Sequence, residues 1–562
     1  MHPTRLLLAF VVLVTAGVCA APKKDADPKI SSIYPMTAQR GKTFEAVLRG
    51  SNLAGARALM FEGDGVEARI LSQNSESPLA GEDTAKARPK DLVKVRITLQ
   101  ADAAVGQHDF RVITARGVTN KLAFHVTAEP VLDDSDATLP LKHFPVVVNG
   151  RIAKPGDTNS YSIEVTGGET LTFEASSFAD GFDPSITLYE PTGSWFDPHR
   201  LSQVASNDEP LSFPGLSTDA RLVQRFAHAG TYSLRVQGFE GQGGADCVYQ
   251  LRIVPGVTPL PPLHPAIKAN WEERQFTRTL TDRRMQELTL RGGAESKTAA
   301  IETFRAVPEG AKEIPVMTAP GVVEGRIDQP GQAHVIRLKV EKPQEFAIEV
   351  QTPDATLPRF NPVVRLMEPG GREVATDVYT KLNNNGLYMM KMIEAKTTVN
   401  LTATGEYTIQ IRDITTNGAG SDFHYRVLVR PQVPHVGKIE VAEDHINLEA
   451  GSTHPLTVTV DREEGFSGYV TLDVEGLPAG VIVLPALEDH VEPPPLPNGG
   501  RLERYVAKPQ RTAVVLAAAD SAQLTTMPVC VRVVARPMRD GHLLAPIPVK
   551  KILLMVVSPG KS

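Results

Sequence analysis

The chain has 562 residues, 41% hydrophobic and 22% charged, with 44 Gly, 44 Pro and a formal charge of -6. That length is too great for one core, and so much Gly and Pro suits many short strands, so roughly three to five mainly β units are expected. The small net charge and the lack of a basic run interleaved with aromatics exclude a nucleic-acid partner.

In chain order, MHPTRLLLAFVVLVTAGVCAAP sets Arg5 before an apolar run from Leu6 to Val14 and then small residues. This is the layout of a secretory signal peptide over residues 1–20, with cleavage after Ala20. A lipoprotein signal acylated on Cys19 is the alternative, and bulky Val18 stands against it. No later segment reaches the ~20 apolar residues of a membrane span. The expected location is the periplasm, the cell surface or the medium. Cleavage leaves only Cys247 and Cys530, so the fold rests on apolar cores and not on a disulfide framework.

Residues 28–128 alternate apolar positions around Phe44, Val47 and Leu48 and break at a turn, Gly50 to Asn52. Residues 129–145 form an acidic linker, VLDDSDATLP, whose Asp133, Asp134 and Asp136 taken alone read as solvated, while their place before a sandwich resembles that in collagen-binding modules, which implies calcium there. Residues 146–256 then match residues 321–432. GRIAKPGDTNSYSIEVTGGETLTFEAS at Gly150 is answered 175 residues later by GRIDQPGQAHVIRLKVEKPQEFAIEVQ at Gly325. Tyr161, Ile163 and Val165, with Leu171, Phe173 and Ala175, alternate on one face across a VTGGE turn, which predicts a hairpin, repeated in the second copy. Downstream, FDPSITLYEPTG meets FNPVVRLMEPGG. Between the copies, residues 257–320 are a spacer that opens with the Pro-rich VTPLPPLHP. Within it, Phe276, Leu280, Met285, Leu288 and Leu290 predict an interdomain helix. Residues 436–558 again alternate strands with Gly turns.

On GRIAKPGDTNSYSIEV, FDPSITLYEPTG, VASNDEP, AGTYSLRVQG and YQLRI, residues 146–256 resemble the bacterial pre-peptidase C-terminal domain. Residues 321–432 resemble a divergent second copy that lacks the SNDE element. KISSIYP, GSNLAGA and GVTNKLAFHV make residues 28–128 similar to IPT/TIG immunoglobulin-like modules, and GFSGYVTLDVEGLPAGV resembles bacterial immunoglobulin-like repeats. The resemblance implies tandem immunoglobulin-like and jelly-roll-like β-sandwiches with a short helical spacer in the middle, in a surface or periplasmic protein that binds proteins, glycans or matrix polymers.

No GxSxG, HExxH, P-loop or paired CxxC motif is present, and the 14 histidines are scattered singly. Cys247, beside Val248 in a predicted strand, reads as a small core residue. Asp180, Asp183, Asn207, Asp208 and Asp219 fall at strand ends that a sandwich could gather on one rim, where they would offer oxygens to calcium. Turn formation is the commoner cause of such residues, and the second copy carries Asn361 in place of Asp183. Tyr189, Trp195, Phe196 and His199 in YEPTGSWFDPHR are candidate ligand-binding residues, since exposed aromatics stack on sugars or anchor protein loops. The expectation is a secreted non-catalytic binding or scaffold protein whose partners are extracellular protein or polysaccharide. The alternatives are an accessory subunit or hydrolase acting on extracellular polymer, and a purely structural spacer.

Overall fold

The computed structural model describes residues 27–559 except 77–89, 135–139, 180, 193–200, 209–218, 259–302, 353–359, 361, 383–388, 394–395, 415–417 and 485–509. Among the described residues the chain is built of strands, and the helical turn present is a 3-10 turn at Phe239–Gly241. The helix expected inside the spacer falls outside the described residues. No described helix is long and apolar enough to cross a membrane.

Eight sheets form four sandwiches. In sandwich 1 one sheet runs β1 (Lys29–Tyr34), β3 (Thr43–Ser51), β6 (Lys90–Leu99), β5 (Val66–Glu76). The other runs β2 (Thr37–Gln39), β9 (Leu122–Thr127), β7 (Gly106–Thr114), β4 (Ala58–Phe61), with β8 (Gly117–Val118) turned back on β7. Sandwich 2 has β10 (Val131–Asp133), β11 (Val146–Arg151), β18 (Val248–Pro255), β13 (Thr170–Ser176), β16 (Ala220–Arg225). Facing it are β12 (Thr158–Val165), β17 (Gly230–Gly238), β14 (Pro184–Pro191), β15 (Leu201–Asn207).

Sandwich 3 has β19 (Thr303–Arg305), β22 (Gly321–Arg326), β31 (His424–Pro431), β24 (Gln344–Gln351), β29 (Lys396–Leu401). Its second sheet runs β20 (Val307–Pro308), β23 (Ala333–Val340), β30 (Gly405–Asp413), β25 (Pro362–Met367), β26 (Glu373–Thr376), with β21 (Val316–Thr318) beside β23. A separate hairpin, β27 (Val378–Leu382) and β28 (Met389–Ile393), has no counterpart among the described residues of sandwich 2. Sandwich 4 has β32 (His435–Val441), β34 (Thr453–Glu463), β37 (Gln510–Ala518), β36 (Val481–Leu484). It is completed by β33 (His445–Glu449), β40 (Ile547–Val557), β38 (Val529–Arg539), β35 (Tyr469–Glu475), with β39 (His542–Leu543) on β38.

Apart from β20, β21 and the hairpin, sandwich 3 repeats the strand order of sandwich 2, as the duplicated sequence requires. Sandwich 4 also repeats sandwich 1, down to the parallel pairing of its second strand with its last, Thr37 opposite His125 and His445 opposite Leu553. The chain therefore reads as two kinds of sandwich in mirror order. Short strands before each repeat, β10 and β19, pair in parallel with β11 and β22, so part of the acidic linker and the end of the spacer belong to the sheets.

The alternating runs do bury one face each: Tyr161, Ile163, Val165, Leu171, Phe173 and Ala175 all enter the core. The predicted hairpin, however, is absent. β12 pairs with β17 while β13 pairs with β16 and β18, so the VTGGE turn carries the chain from one sheet to the facing one. The same arch joins β23 and β24. Alternation fixes which face is buried and says nothing of which strand lies alongside. Glu169 closes the arch by accepting from the backbone N–H of Thr166 and from its hydroxyl at 3.0 Å.

Two glycines explain why the repeat keeps GRI. A Cβ on Gly150 would lie 2.2 Å from Cζ of Tyr249, and one on Gly325 would lie 2.3 Å from the hydroxyl of Tyr425, because each ring crosses the neighbouring strand. Only Gly allows that approach.

Contacts across the sandwiches run 2 to 1, 1 to 4 and 4 to 3. At the first joint, the amide of Asn149 accepts from the N–H of Thr37 at 3.0 Å and donates to its C=O at 2.9 Å. Asn447 does the same at the second, accepting from Val118 N–H at 2.8 Å and donating to its C=O at 2.9 Å. Each side chain thus completes a backbone pair that the sheet leaves open. A Cβ on Gly117, at φ 131°, would lie 2.1 Å from Asn447 Oδ1, which ties the turn before β8 to this clasp. Ile113, Val118, Met555 and Val557 form a small apolar cluster around it. Buried Arg111 donates to Asp444 at 2.5 Å, and His445 bonds the same carboxylate at 2.6 Å. Burial works against the Asp444 charge, but those two partners prevail and hold its carboxyl down at about 2.

Candidate functional sites on the sandwiches

The rim residues of sandwich 2 come from loops around β14, β15 and β16. Asp183 stands just before β14, where its backbone N–H donates to Gln242 at 2.9 Å and its C=O accepts from Phe239 at 2.7 Å. Asn207 ends β15 and accepts from the N–H of Arg221 in β16 at 2.9 Å. Asp208 follows it, exposed. Asp219 precedes β16, and its carboxyl is pushed up to about 6, first by burial and further by the charges of Asp183 and Glu174, while a bond from the backbone of Ser177 works the other way. The fold therefore brings Asp183 and Asp219 within reach of each other's field, ties the Asn207 side chain to β16 and leaves Asp208 exposed. Asp180 and the second copy's Asn361 lie outside the described residues.

Tyr189 is not in a loop. It lies in β14 on the outer face, and the Arg235 guanidinium sits 4.5 Å from its ring centroid. This cation–π contact holds the ring flat on its own sheet. The other aromatic candidates, Trp195, Phe196 and His199, lie outside the described residues. Cys247 precedes β18 and is half-buried against the core, with its thiol pushed up by burial; Cys530 is exposed and free.

The acidic linker is not simply solvated. Asp134 accepts from the buried hydroxyl of Tyr161 at 2.7 Å and from Asn159 Nδ2 at 2.9 Å. Tyr161 and Tyr249 hydroxyls lie 2.6 Å apart, and Asn159 also reaches Tyr249 at 2.8 Å. With Tyr161 donating to the carboxylate, Tyr249 donates to Tyr161, and the network under Gly150 is satisfied. Burial raises both phenols, so they stay protonated donors. Asp136 falls outside the described residues, and Asp133 ends β10 on the surface. In sandwich 3 Ile336 replaces Tyr161 and His334 replaces Asn159, bonding Tyr425 at 2.7 Å.

One group that sequence reasoning missed has the reach to hold a metal: His435, Glu463 and Glu464, where sandwich 3 meets sandwich 4. Its carboxylates are already engaged. Arg430 grips Glu464 with two bonds, 2.8 and 2.9 Å, and reaches Glu349 at 2.9 Å; Lys396 bonds Glu464 at 3.0 Å and also Glu463. Burial opposes the Glu464 charge, yet Arg430, Lys396 and the Val433 N–H hold its carboxyl down at about 2. With two fixed cations inside it, this cluster is a structural ion knot and a poor home for a third. Its parts are scattered over more than a hundred residues, and no spacing marks them.

No protein-family model and no curated protein matches the sequence. Among solved structures the chain is similar to tripeptidyl peptidase 2, at 9% identity and a TM-score of 0.14, over 95% of this chain and 40% of that one. It is similar to the secreted serine protease VesC from Vibrio cholerae at 9% identity and a TM-score of 0.15, covering 41% of this chain and 51% of that one. The surface-layer protein SbsC gives 9% identity and a TM-score of 0.15, covering 95% of this chain and 55% of that one. The chain thus spans about half or less of each of these proteins. These are distant matches to multidomain β-sandwich proteins, and they assign no family.

Proposed function

We propose that this is a secreted, non-catalytic, multidomain binding or scaffold protein of the bacterial envelope that engages proteins or polysaccharide through the loops and open faces of its sandwiches. The observation that supports this reading most directly is how the buried polar groups are used. Asn149, Asn447, Arg111 and the Arg430 knot each bond across a joint, so they fix four sandwiches in one array. Rigid sandwiches with loops at their ends are a common platform for recognition. The residues that resemble pre-peptidase C-terminal and IPT/TIG modules point the same way. Calcium at Asp183 and Asp219 belongs to this proposal, as a brace for the chain where it enters β14 and β16.

Passing the purified protein over immobilised polysaccharide, collagen and peptidoglycan tests the reading. Retention without turnover supports it. Release of product overturns it in favour of a hydrolase, and failure to be held by any of the three polymers overturns it in favour of a spacer.

A further inference from the structure

The duplication places two equivalent rows of side chains on sandwiches 2 and 3, and only one row is covered. In sandwich 2 the row crosses four strands as Asp133, Asn149, Gln250 and Ser176, each opposite the next. In sandwich 3 the same register gives Arg305, Glu324, Arg426 and Gln351. The first row is the seat of sandwich 1. Thr37 of that sandwich bonds Asn149 and donates its hydroxyl to Gln250, and all three residues are buried. One step along, the ring of Tyr34 lies 4.5 Å from the Arg151 guanidinium, and Ser32 donates to Asp246 at 2.6 Å.

Sandwich 3 keeps the second tier of this seat. Arg326 stands where Arg151 stands, and Asp422 in GSDFHY answers Asp246 in GADCVY. Yet nothing described occupies it. A cleft of about 770 Å³ opens there, lined by Arg305, Glu324, Arg326, His424 and Arg426 among others. The side chains of Glu324 and Arg426 are 54% and 50% exposed, whereas their counterparts under sandwich 1 are buried. Sandwich 4 docks elsewhere on the same sheet, through Arg430. The two carboxamides that suit a threonine have become Glu324 and Arg426, and Asp133 has become Arg305. Three arginines and one glutamate line the cleft; Arg426 pairs loosely with Glu324 at 3.5 Å, and Arg326 pairs with Asp328 at 2.6 Å.

We propose that this cleft is a docking site for an extended edge segment of a partner protein, seated as β1 and β2 seat on sandwich 2. That segment carries an acidic side chain at the position of Thr37, facing Arg305 and Arg426, and an aromatic ring at the position of Tyr34, facing Arg326. Main-chain reach and shape come from the sandwich, and selectivity comes from charge. The inference rests on the binding-protein reading and deepens it by naming one surface and one class of partner.

The test uses the full chain and a fluorescein-labelled peptide of residues 29–39 carrying Thr37→Glu, followed by anisotropy. Saturable binding is expected, weakened about tenfold or more by Arg426→Glu and again by Arg305→Glu. The unsubstituted peptide should bind more weakly, and Arg532→Glu on sandwich 4 should change nothing. Because these arginines are exposed, the variants should melt with the parent. No saturable binding, or binding indifferent to Arg426→Glu or to the Glu in the peptide, overturns the proposal. So does capture of dextran sulfate by the cleft in place of the peptide. If the peptide fails while polymer columns still retain the protein, this site is wrong and the binding reading stands.

Discussion

The Arg430–Glu464 knot gives the sharpest quantitative expectation. Glu464 has a side chain that is fully buried, and it accepts from Arg430 twice, from Lys396 and from the backbone of Val433. Lowering its carboxyl from an ordinary value near 4.5 to about 2 corresponds to about 3 kcal/mol of stabilisation. Removing one partner of a buried pair costs about 3–5 kcal/mol, because the other charge is left buried, so two independent routes agree. Glu464→Gln, which keeps the shape and loses the charge, should therefore lower the melting of the unit formed by sandwiches 3 and 4 by on the order of 10 °C. The sign with pH follows from the depressed carboxyl: its contribution is full above about 4.5 and is lost as pH falls toward about 2. Scanning calorimetry of the full chain at several pH values reads both effects, and the gap between parent and variant should close across that acid window. A loss under about 1 kcal/mol at pH 7 would refute the reasoning, as would a gap that persists at pH 2.

Three further expectations concern other parts of the array. Asn447→Ala leaves the N–H and C=O of Val118 without their clasp, which should cost about 2 kcal/mol or more and part sandwich 1 from sandwich 4, seen as a larger radius of gyration in small-angle scattering; unchanged scattering contradicts it. Gly150→Ala should destabilise by about 1–3 kcal/mol in urea, because Tyr249 must leave its network, while Gly370→Ala, with open space around it, should be near neutral. At the rim, the raised Asp219 carboxyl favours the fold most below about 4 and loses that contribution as pH rises through about 6, so calcium should raise the melting point more at pH 7 than at pH 5. Asp219→Asn should melt higher than the parent without calcium and show no response to it; an unchanged melt with chelator and with calcium retires the site.

Much of this could be read from the chain, and what could not has a common cause. Period-two burial in Tyr161–Val165 and Leu171–Ala175 announced strands and the face each buries, and the repeat announced a second sandwich. Neither could say that the two runs sit in opposite sheets, since pairing is a long-range property that alternation does not encode. β10 and β19 are three residues each, too short for any period to appear. Asp134 shares its composition with a solvated linker, and only its approach to Tyr161 distinguishes it. Asn149 and Asn447 look like turn residues, the commonest role of asparagine, until their backbone partners are known. Different motifs made sandwiches 1 and 4 each resemble an immunoglobulin-like module, but that they share one strand order shows only in three dimensions.

The first described residue and the last strand both reach the joint of sandwiches 1 and 4, for Asp27 lies 3.5 Å from the Asn447 amide and Asn447 stands opposite Met555 in β40. Traction applied there would therefore bear first on this joint, on the Ile113, Val118, Met555 and Val557 cluster, the Asn447 clasp and the Arg111–Asp444 pair. Once that joint yields, sandwiches 1 and 2 stay together through Asn149 and sandwiches 3 and 4 through the Arg430 knot. The polypeptide thus carries, between its first and last folded units, a latch whose release lengthens the molecule without unravelling it.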